Sequence, residues 1–531
     1  MEKLRAYARS IPLTFESWII SLVGIVLIRT FLEQFSSFRL KSFALIDIPT
    51  IVHYSVFYLG STLILMIILL FFGKTSLKEV SAVCIFGLFI ICLAPIIDLV
   101  SGGIGGHIIT YLIIPGKELV FRFFTFFGGH TAYGITLGVQ IETVLGIIFC
   151  YLFVYLNTKK ISRAIAAAVV FYCFIFFLVS MPSFVALLSA SQNNPTDTIL
   201  QLISSSHIIQ NNLYPSFTAP NLGLFDLGFN KIMLGINTII AMLAVALLFF
   251  LAERKKFVAL IKNSRPERIF HFFLLFLLGT VFATSAWSIN WVDLQCYFLA
   301  FLSFVFAWLF SVCQNDIYDE TIDSVSNKNR PIVAKELSKN DLSFASKIFL
   351  LFAFLCAYSS SHYVLFFVCF FLLVYFIYSN PPLRLKRFVI LNSFLVSLAC
   401  LSVILAGFFL VNQDPSVLAF SPSLVLAIII FFTAVANIRD IKDVEGDRAD
   451  GIKTLPTILG IKKAKKIIAG IICFFFLLIP WYFNFSYLYI PAIVASIFSW
   501  HFINQENYKE WKAFVVYMIY LLLIIGAIFA K

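Results

Sequence analysis

Fifteen stretches of this chain are each long and apolar enough to cross a membrane, which leaves few folds open to it. They fall near 17–34, 53–73, 80–98, 139–157, 164–190 and 232–252, then near 269–288, 293–313, 342–360, 362–379, 388–411, 421–438, 465–482, 485–504 and 512–530. About twenty apolar residues in a helix span the hydrocarbon layer. No water there satisfies backbone N–H and C=O groups, so each stretch must satisfy its own, and the expected fold is all-α and polytopic. Composition agrees, with 61% hydrophobic against 12% charged residues. The first run follows Arg5 and Arg9 but no small-residue cleavage pattern precedes the next polar stretch, so it reads as a retained helix rather than a processed leader.

The few charges are not scattered. Net charge is +12, yet Lys and Arg gather in loops on one side, which in a membrane protein signals orientation and excludes a nucleic-acid partner. The most basic connector runs from Arg254-Lys255-Lys256 to Arg265-Pro266-Glu267-Arg268, and the domain boundary is placed there. Residues 1–264 form a membrane domain of about six helices with unknown function, and 265–531 a nine-helix bundle. In the second half the loops near 289–292, 412–420 and 483–486 lack Lys and Arg, while the alternate loops carry them. The basic side is therefore expected in the cytoplasm, in a multi-pass protein of the plasma membrane.

The first half follows the same rule less cleanly, with Arg39, Lys41, Lys117 and Arg122 on the expected outer side. Gly102 to His107, with short apolar pieces at 107–114 and 118–128, reads as a re-entrant or interfacial segment. Arg29 and Glu142, isolated near helix ends, read as snorkelling or capping charges. All ten cysteines lie in or beside apolar runs without a CxxC pair, so they read as buried small hydrophobes. Lone histidines such as His271 and His501 read as packed or interfacial.

Against this background two acidic clusters stand out at the ends of apolar runs. One is Asn315-Asp316-Ile317-Tyr318-Asp319-Glu320-Thr321-Ile322-Asp323, and the other is Asp440-Ile441-Lys442-Asp443-Val444-Glu445-Gly446-Asp447. Carboxylates at that depth are costly unless something positive holds them. On a helix Asp316, Asp319 and Asp323 share one face, so hard oxygen ligands converge in a manner that suits Mg²⁺. Two such faces opposed across a bundle would hold two or three Mg²⁺ ions and, through them, a diphosphate. That is a site for breaking a carbon–oxygen bond to diphosphate. Asn315 and Asn437 join Asp316, Asp319, Asp323, Asp440, Asp443 and Asp447 as candidate metal ligands. Basic loops follow each cluster, offering Arg330 after the first and Arg448 and Lys453 after the second. Tyr378-Ser379-Asn380-Pro381-Pro382 leads to Arg384, Lys386 and Arg387 from the same side. Arg330, Lys386, Arg448 and Lys453 are the candidate diphosphate contacts. Asp316, Asp319, Asp440 and Lys386 are the expected catalytic set. The plainer alternative, acids and bases marking the water boundary, fits one cluster but not two matched ones with basic loops behind them. Tyr318, Glu320 and Glu445 lie off the aspartate faces.

The second half resembles the UbiA-type intramembrane prenyltransferases. The resemblance rests on the NDxxDxxxD pattern at 315–323, the second acidic motif at 440–447 and Lys386 after Tyr378-Ser379, and it covers about 265–531. It implies Mg²⁺-dependent ionisation of a polyprenyl diphosphate, followed by capture of the allylic cation by a lipid-like or aromatic acceptor within the membrane lipids. The tail from Asp443 to Pro456 looks like the branch of digeranylgeranylglyceryl phosphate, chlorophyll and homogentisate enzymes. Phe-rich helices near 269–313 and 421–438 would line the prenyl tunnel. An intramembrane terpene cyclase, or a transporter or scaffold that keeps the ion site without chemistry, are the alternatives. Residues 1–264 have no place in that pattern.

Overall fold

A computed structural model describes residues 10, 12–36, 48–101, 111–128, 135–189, 194–212, 223–283, 290–412, 414, 416–449 and 451–530. Fifteen of the described helices are long and apolar enough to cross a membrane, six ending by Ala252 and nine starting from Pro266. The all-α polytopic class is what the apolar runs required. The chain divides into two compact units, Met1–Arg254 with Asn290–Asp293, and Lys255–Ile289 with Leu294–Lys531.

The first unit contains α1 (Phe15–Ser36), α2 (Ile48–Gly73), α3 (Leu77–Leu88), α4 (Leu93–Val100), α5 (Leu137–Thr158), α6 (Ile161–Val179) and α7 (Leu224–Ala252). Helix α2 is apolar on every side, and it packs against α7 as well as α1, α3, α5 and α6. Its one imidazole is fully engaged. His53 Nδ1 lies 2.6 Å from Asn230 Oδ1 and Nε2 lies 2.8 Å from Tyr111 Oη, which also accepts from Asn237 Nδ2 at 2.9 Å.

Arg29 does not snorkel. It is 2% exposed, pairs with Glu33 at 3.4 Å one turn on, and lies over the Tyr54 and Tyr58 rings at 5.6 and 5.5 Å. A carboxylate and two aromatic faces replace the water it would otherwise seek. The run expected over 164–190 is likewise two helices. Helix α6 stops at Val179 and a short helix, Met181–Leu188, restarts with Pro182 in its first turn, where a missing N–H costs nothing. The Gly102–His107 stretch lies outside the described residues. Just after it, irregular backbone is covered by protein: Leu112 N donates to Val179 O and Ile114 N to Ser183 Oγ, both at 2.9 Å.

The second unit contains α8 (Arg254–Asn263), α9 (Pro266–Ala283), α10 (Trp291–Tyr318), α11 (Glu320–Ser326), α12 (Lys339–Ser360), α13 (His362–Ser379), α14 (Val389–Val411), α15 (Pro422–Val435), α16 (Val444–Ala449), α17 (Ile461–Phe483), α18 (Tyr489–Asn504) and α19 (Glu510–Phe529). Helix α14 is the buried centre and packs against α9, α13 and α15. Two glycines set its contact with α9. A Cβ on Gly279 would sit 1.9 Å from Ile404 O, and one on Gly407 would sit 2.2 Å from Phe276 O. Lipid tails give no hydrophobic drive for helices to associate, so backbone approach of this kind supplies van der Waals contact instead. Helix α9 also packs on α19, and α17 on α18, so the bundle surrounds an interior that opens at the ends of α10 and α15.

Candidate active site

Helix α10 carries Asn315 and Asp316 in its last turn, lapses at Asp319 (φ −103°, ψ 10°), and resumes as α11. The three aspartates were expected on one continuous helix; instead a break falls at the middle one. The register survives it through Asp319 N to Asn315 O at 2.9 Å and Asp323 N to Asp319 O at 2.8 Å. Asp316 and Asp323 remain on one face, since Arg330 reaches both. The second motif begins in a 3₁₀ turn, Ala436–Ile441, and continues into α16. Helices α11 and α16 pack together, and Asn327 Nδ2 bridges the clusters, donating to Asp323 Oδ1 at 3.1 Å and Asp443 Oδ1 at 3.3 Å.

Both clusters open on one cavity of about 240 Å³. Its charged end is lined by Asn315, Asp319, Asp323, Arg330, Lys386, Asp440, Asp443 and Asp447, all of them sequence candidates. Its deeper wall is aromatic, with Phe272 and Trp308 from α9 and α10, Phe432 from α15, and Phe476 and Phe514 from α17 and α19. Asp316 is 0% exposed and accepts from Arg265 at 2.5 Å, Arg330 at 2.8 Å and Asn263 at 2.8 Å, the two arginines being part of the cavity lining.

Asp316, expected among the metal ligands and the catalytic set, is not part of the cavity surface, and three further candidates are not brought to it either. Asn437 Oδ1 accepts from Ser393 Oγ at 3.1 Å, and its amide donates to Thr433 O and Ala434 O. Arg448 follows the inward Asp447 on α16, and one step around a helix turns it out to solvent. Lys453 is exposed between the buried Ile452 and Thr454 in extended chain, where side chains alternate. Other groups take their place. Arg265 stands in the basic connector and Arg384 among the cations that follow Tyr378-Ser379, while Arg439 and Asn392 were not among the candidates. Arg384 bonds Asp319 Oδ1 at 2.8 Å, Arg439 Nε bonds Asp440 Oδ1 at 3.3 Å, and Asn392 Nδ2 bonds Asp440 Oδ2 at 3.1 Å. Arg265 and Arg384 hold φ of +54° and +40°, a conformation costly for a side chain with a Cβ, and both aim a guanidinium at an aspartate. The only sequence signal for Arg265 was its place directly before Pro266, at the first turn of a span.

The electrostatics of the clusters differ. Asp316, Asp319 and Asp323 share Arg265, Arg330, Arg384 and Lys386. Asp440, Asp443 and Asp447 have Arg439 directly paired, on Asp440. Burial, followed by neighbouring Asp440 and Asp443, pushes the Asp447 carboxyl up to about 7. Burial also pushes Asp323 up to about 6, against the pull of Arg330. Burial lowers the Lys386 ammonium despite Asp319 beside it. Among the described residues no three acidic, histidine or cysteine side chains converge on a single point as a finished metal cage. The donor set nonetheless fits a hard divalent cation. The five lining aspartates and the Asn315 amide oxygen are all-oxygen ligands, and the second cluster is short of positive charge.

Fold and site together define a polytopic helical bundle with one cavity lined by acidic and basic groups and by aromatic side chains. Residues 274–523 match the model of the UbiA prenyltransferase family. The chain is 27% identical over 207 residues to digeranylgeranylglyceryl phosphate synthase of Methanosphaera stadtmanae, covering 37% of this chain and 72% of that one. It is 30% identical over 167 residues to the probable chloroplastic homogentisate phytyltransferase 2 of Oryza sativa subsp. japonica, covering 30% of this chain and 43% of that one. It is also 30% identical over 172 residues to that plant's chloroplastic chlorophyll synthase, again covering 30% and 43%. The chain thus spans less than half the length of these plant relatives. Among solved structures, a UbiA homolog from Archaeoglobus fulgidus bound to GPP and Mg²⁺ aligns with a TM-score of 0.41 at 19% identity, covering 51% of this chain and 100% of that one.

Proposed function

We propose that this protein transfers a prenyl group from an allylic polyprenyl diphosphate to a lipid-like or aromatic acceptor inside the membrane, and that it requires Mg²⁺. The observation that carries this reading is the meeting of two acidic clusters and their cations at one end of a single cavity whose other end is aromatic. The charged end suits diphosphate and the aromatic end suits an isoprenoid chain, so one substrate class matches both ends.

Asp319, Asp323, Asp440, Asp443 and Asp447, with Asn315, are the residues that would hold Mg²⁺. When bound, the metal neutralises diphosphate charge as the leaving group departs. Arg265, Arg330, Arg384 and Lys386, tethered to carboxylates, are in place to turn their N–H groups to diphosphate oxygens. The C1–O bond of the donor breaks and its electron pair leaves with diphosphate. The Trp308, Tyr375 and Tyr378 rings offer π faces to the allylic cation, and the apolar wall keeps water from quenching it. The matched family and the archaeal and plant relatives support this reaction class.

The test is mass spectrometry of lipids from cells expressing the protein or its Asp319→Asn form. A prenylated product present with the parent and absent with the variant is expected; identical lipid profiles would remove the proposal. The basic loops support a cytoplasmic site at the plasma membrane. A single cysteine at Ala449 is then expected to label from the cytoplasmic side and one at Ser416 from outside; the reverse pattern would invert the orientation.

A further inference from the structure

His271 stands in the wall of the cavity on α9, 7% exposed. It lies five positions past Pro266, which at the helical rise places it roughly 8 Å beyond the start of α9. Its ring packs against Phe432 and Phe514, with centroids 6.3 and 5.5 Å away. Nε2 lies 2.9 Å from the Tyr517 hydroxyl on α19. One turn above, Arg268 and Glu510 join the same two helices, so a second cross-link lies beside the one the ring makes. Among the described residues that line the cavity it is the one imidazole. The lining Arg and Lys side chains have no lone pair to offer a proton, and the lining carboxylates belong to the charged end.

Prenyl transfer leaves one proton over. The donor's C1–O pair goes to diphosphate, the acceptor's reacting atom gives an electron pair to C1, and the hydrogen on that atom must depart as H⁺. We propose that His271 accepts this proton, and that the acceptor is one whose reacting atom carries a hydrogen: a hydroxyl, or an aromatic C–H. The inference rests on the prenyl-transfer reading above and adds to it the fate of the proton. With Nε2–H donating to Tyr517, Nδ1 keeps its lone pair, and it makes no hydrogen bond to a described residue. The adduct of a carbocation with a hydroxyl or an arene is strongly acidic, so a neutral imidazole is base enough. Arg268 one turn away is balanced by Glu510, and Tyr375, Cys400 and Tyr517 complete the polar surroundings. The imidazolium gives its proton to water that enters as diphosphate leaves. Tyr517 is a positioning residue.

The experiment supplies isotopically labelled geranylgeranyl diphosphate and Mg²⁺ to membranes of cells expressing the full chain. It reads the ratio of prenyl-transfer product to prenyl alcohol at equal diphosphate release, so a variant that folds poorly does not imitate the result. His271→Gln is expected to lower that ratio about a hundredfold, at the low end of general-base effects. Tyr517→Phe is expected to lower it less, and added imidazole to raise it in His271→Ala, where a merely packed ring would gain nothing. An unchanged ratio in His271→Gln overturns the proposal, as does diphosphate release by the parent without any transfer product. A parent that releases no diphosphate refutes instead the prenyl-transfer reading on which the proposal stands.

Discussion

The two acidic clusters are near copies in sequence and opposites in charge balance. The first holds three aspartates among four cations, two of them arginines in left-handed backbone. The second holds three aspartates with one directly paired arginine among the described residues, and its Asp447 carboxyl is pushed up to about 7 by burial and by its own neighbours. A cation-rich cluster stores positive groups that a diphosphate can claim, and a cation-poor one lacks charge that a divalent ion can supply. Motif spacing makes the two look interchangeable; the cations contributed by distant elements make them different.

Asp440→Asn should break this comparison most severely. Removing a carboxylate where positive charge is already scarce is expected to lower Mg²⁺-dependent diphosphate release at least about a hundredfold, since even partners of metal ligands cost up to that much. Titrating Mg²⁺ against the variant should show a raised requirement as well as a lower maximum, and equal Mg²⁺ curves for variant and parent would place the metal elsewhere.

Lys386→Met addresses the first cluster. Loss of one preorganised cation is expected to cost about a hundredfold in turnover, with the Mg²⁺ requirement little changed. If Mg²⁺ affinity moved and turnover did not, the roles of the clusters would have to be exchanged.

A smaller effect follows from pH. Asp447 near 7 and Asp323 near 6 favour their protonated forms more than ordinary carboxyls do, so protons compete with the metal below those values and cease to compete above them. Lowering pH from 8 to 6 is expected to raise the half-saturating Mg²⁺ concentration by roughly tenfold. A requirement that is flat across that range, or that falls toward acid, would contradict the assignment of both groups.

Glu320→Gln should do almost nothing. Glu320 sits inside the first motif but pairs with Lys339 at 2.9 Å on the surface, and such pairs contribute about 1 kcal/mol at most. Activity within about twofold of the parent is expected, and a severe loss would mean that the motif works through a different face.

How much of this was legible in the sequence depended on how local the cause was. Helix existence is written in apolar length, and the fifteen runs correspond to fifteen helical spans among the described residues, two of them broken within the run. Asp319, Asp323, Asp440 and Asp447 are given away by spacing, because helical periodicity alone aligns them. The lapse of α10 at Asp319 left no mark in that pattern. Arg265 and Arg439 were hidden for another reason: at helix ends a cation is the usual sign of membrane orientation, and only packing shows which carboxylate it meets. Arg448 and Lys453 failed in the opposite direction, since closeness in sequence to Asp447 says nothing about the face on which a side chain emerges. Arg29 looked like a surface charge until Glu33 and two tyrosines were found around it.

The central claim is that the two clusters act together on one diphosphate. It is tested most directly by measuring diphosphate release from geranylgeranyl diphosphate by the purified full chain in detergent, with Mg²⁺ and with chelator, for the parent, Asp319→Asn and Asp440→Asn. Release that needs Mg²⁺ and is lost in both variants is the predicted result. Metal-independent release, or release that survives the loss of either aspartate, would contradict it.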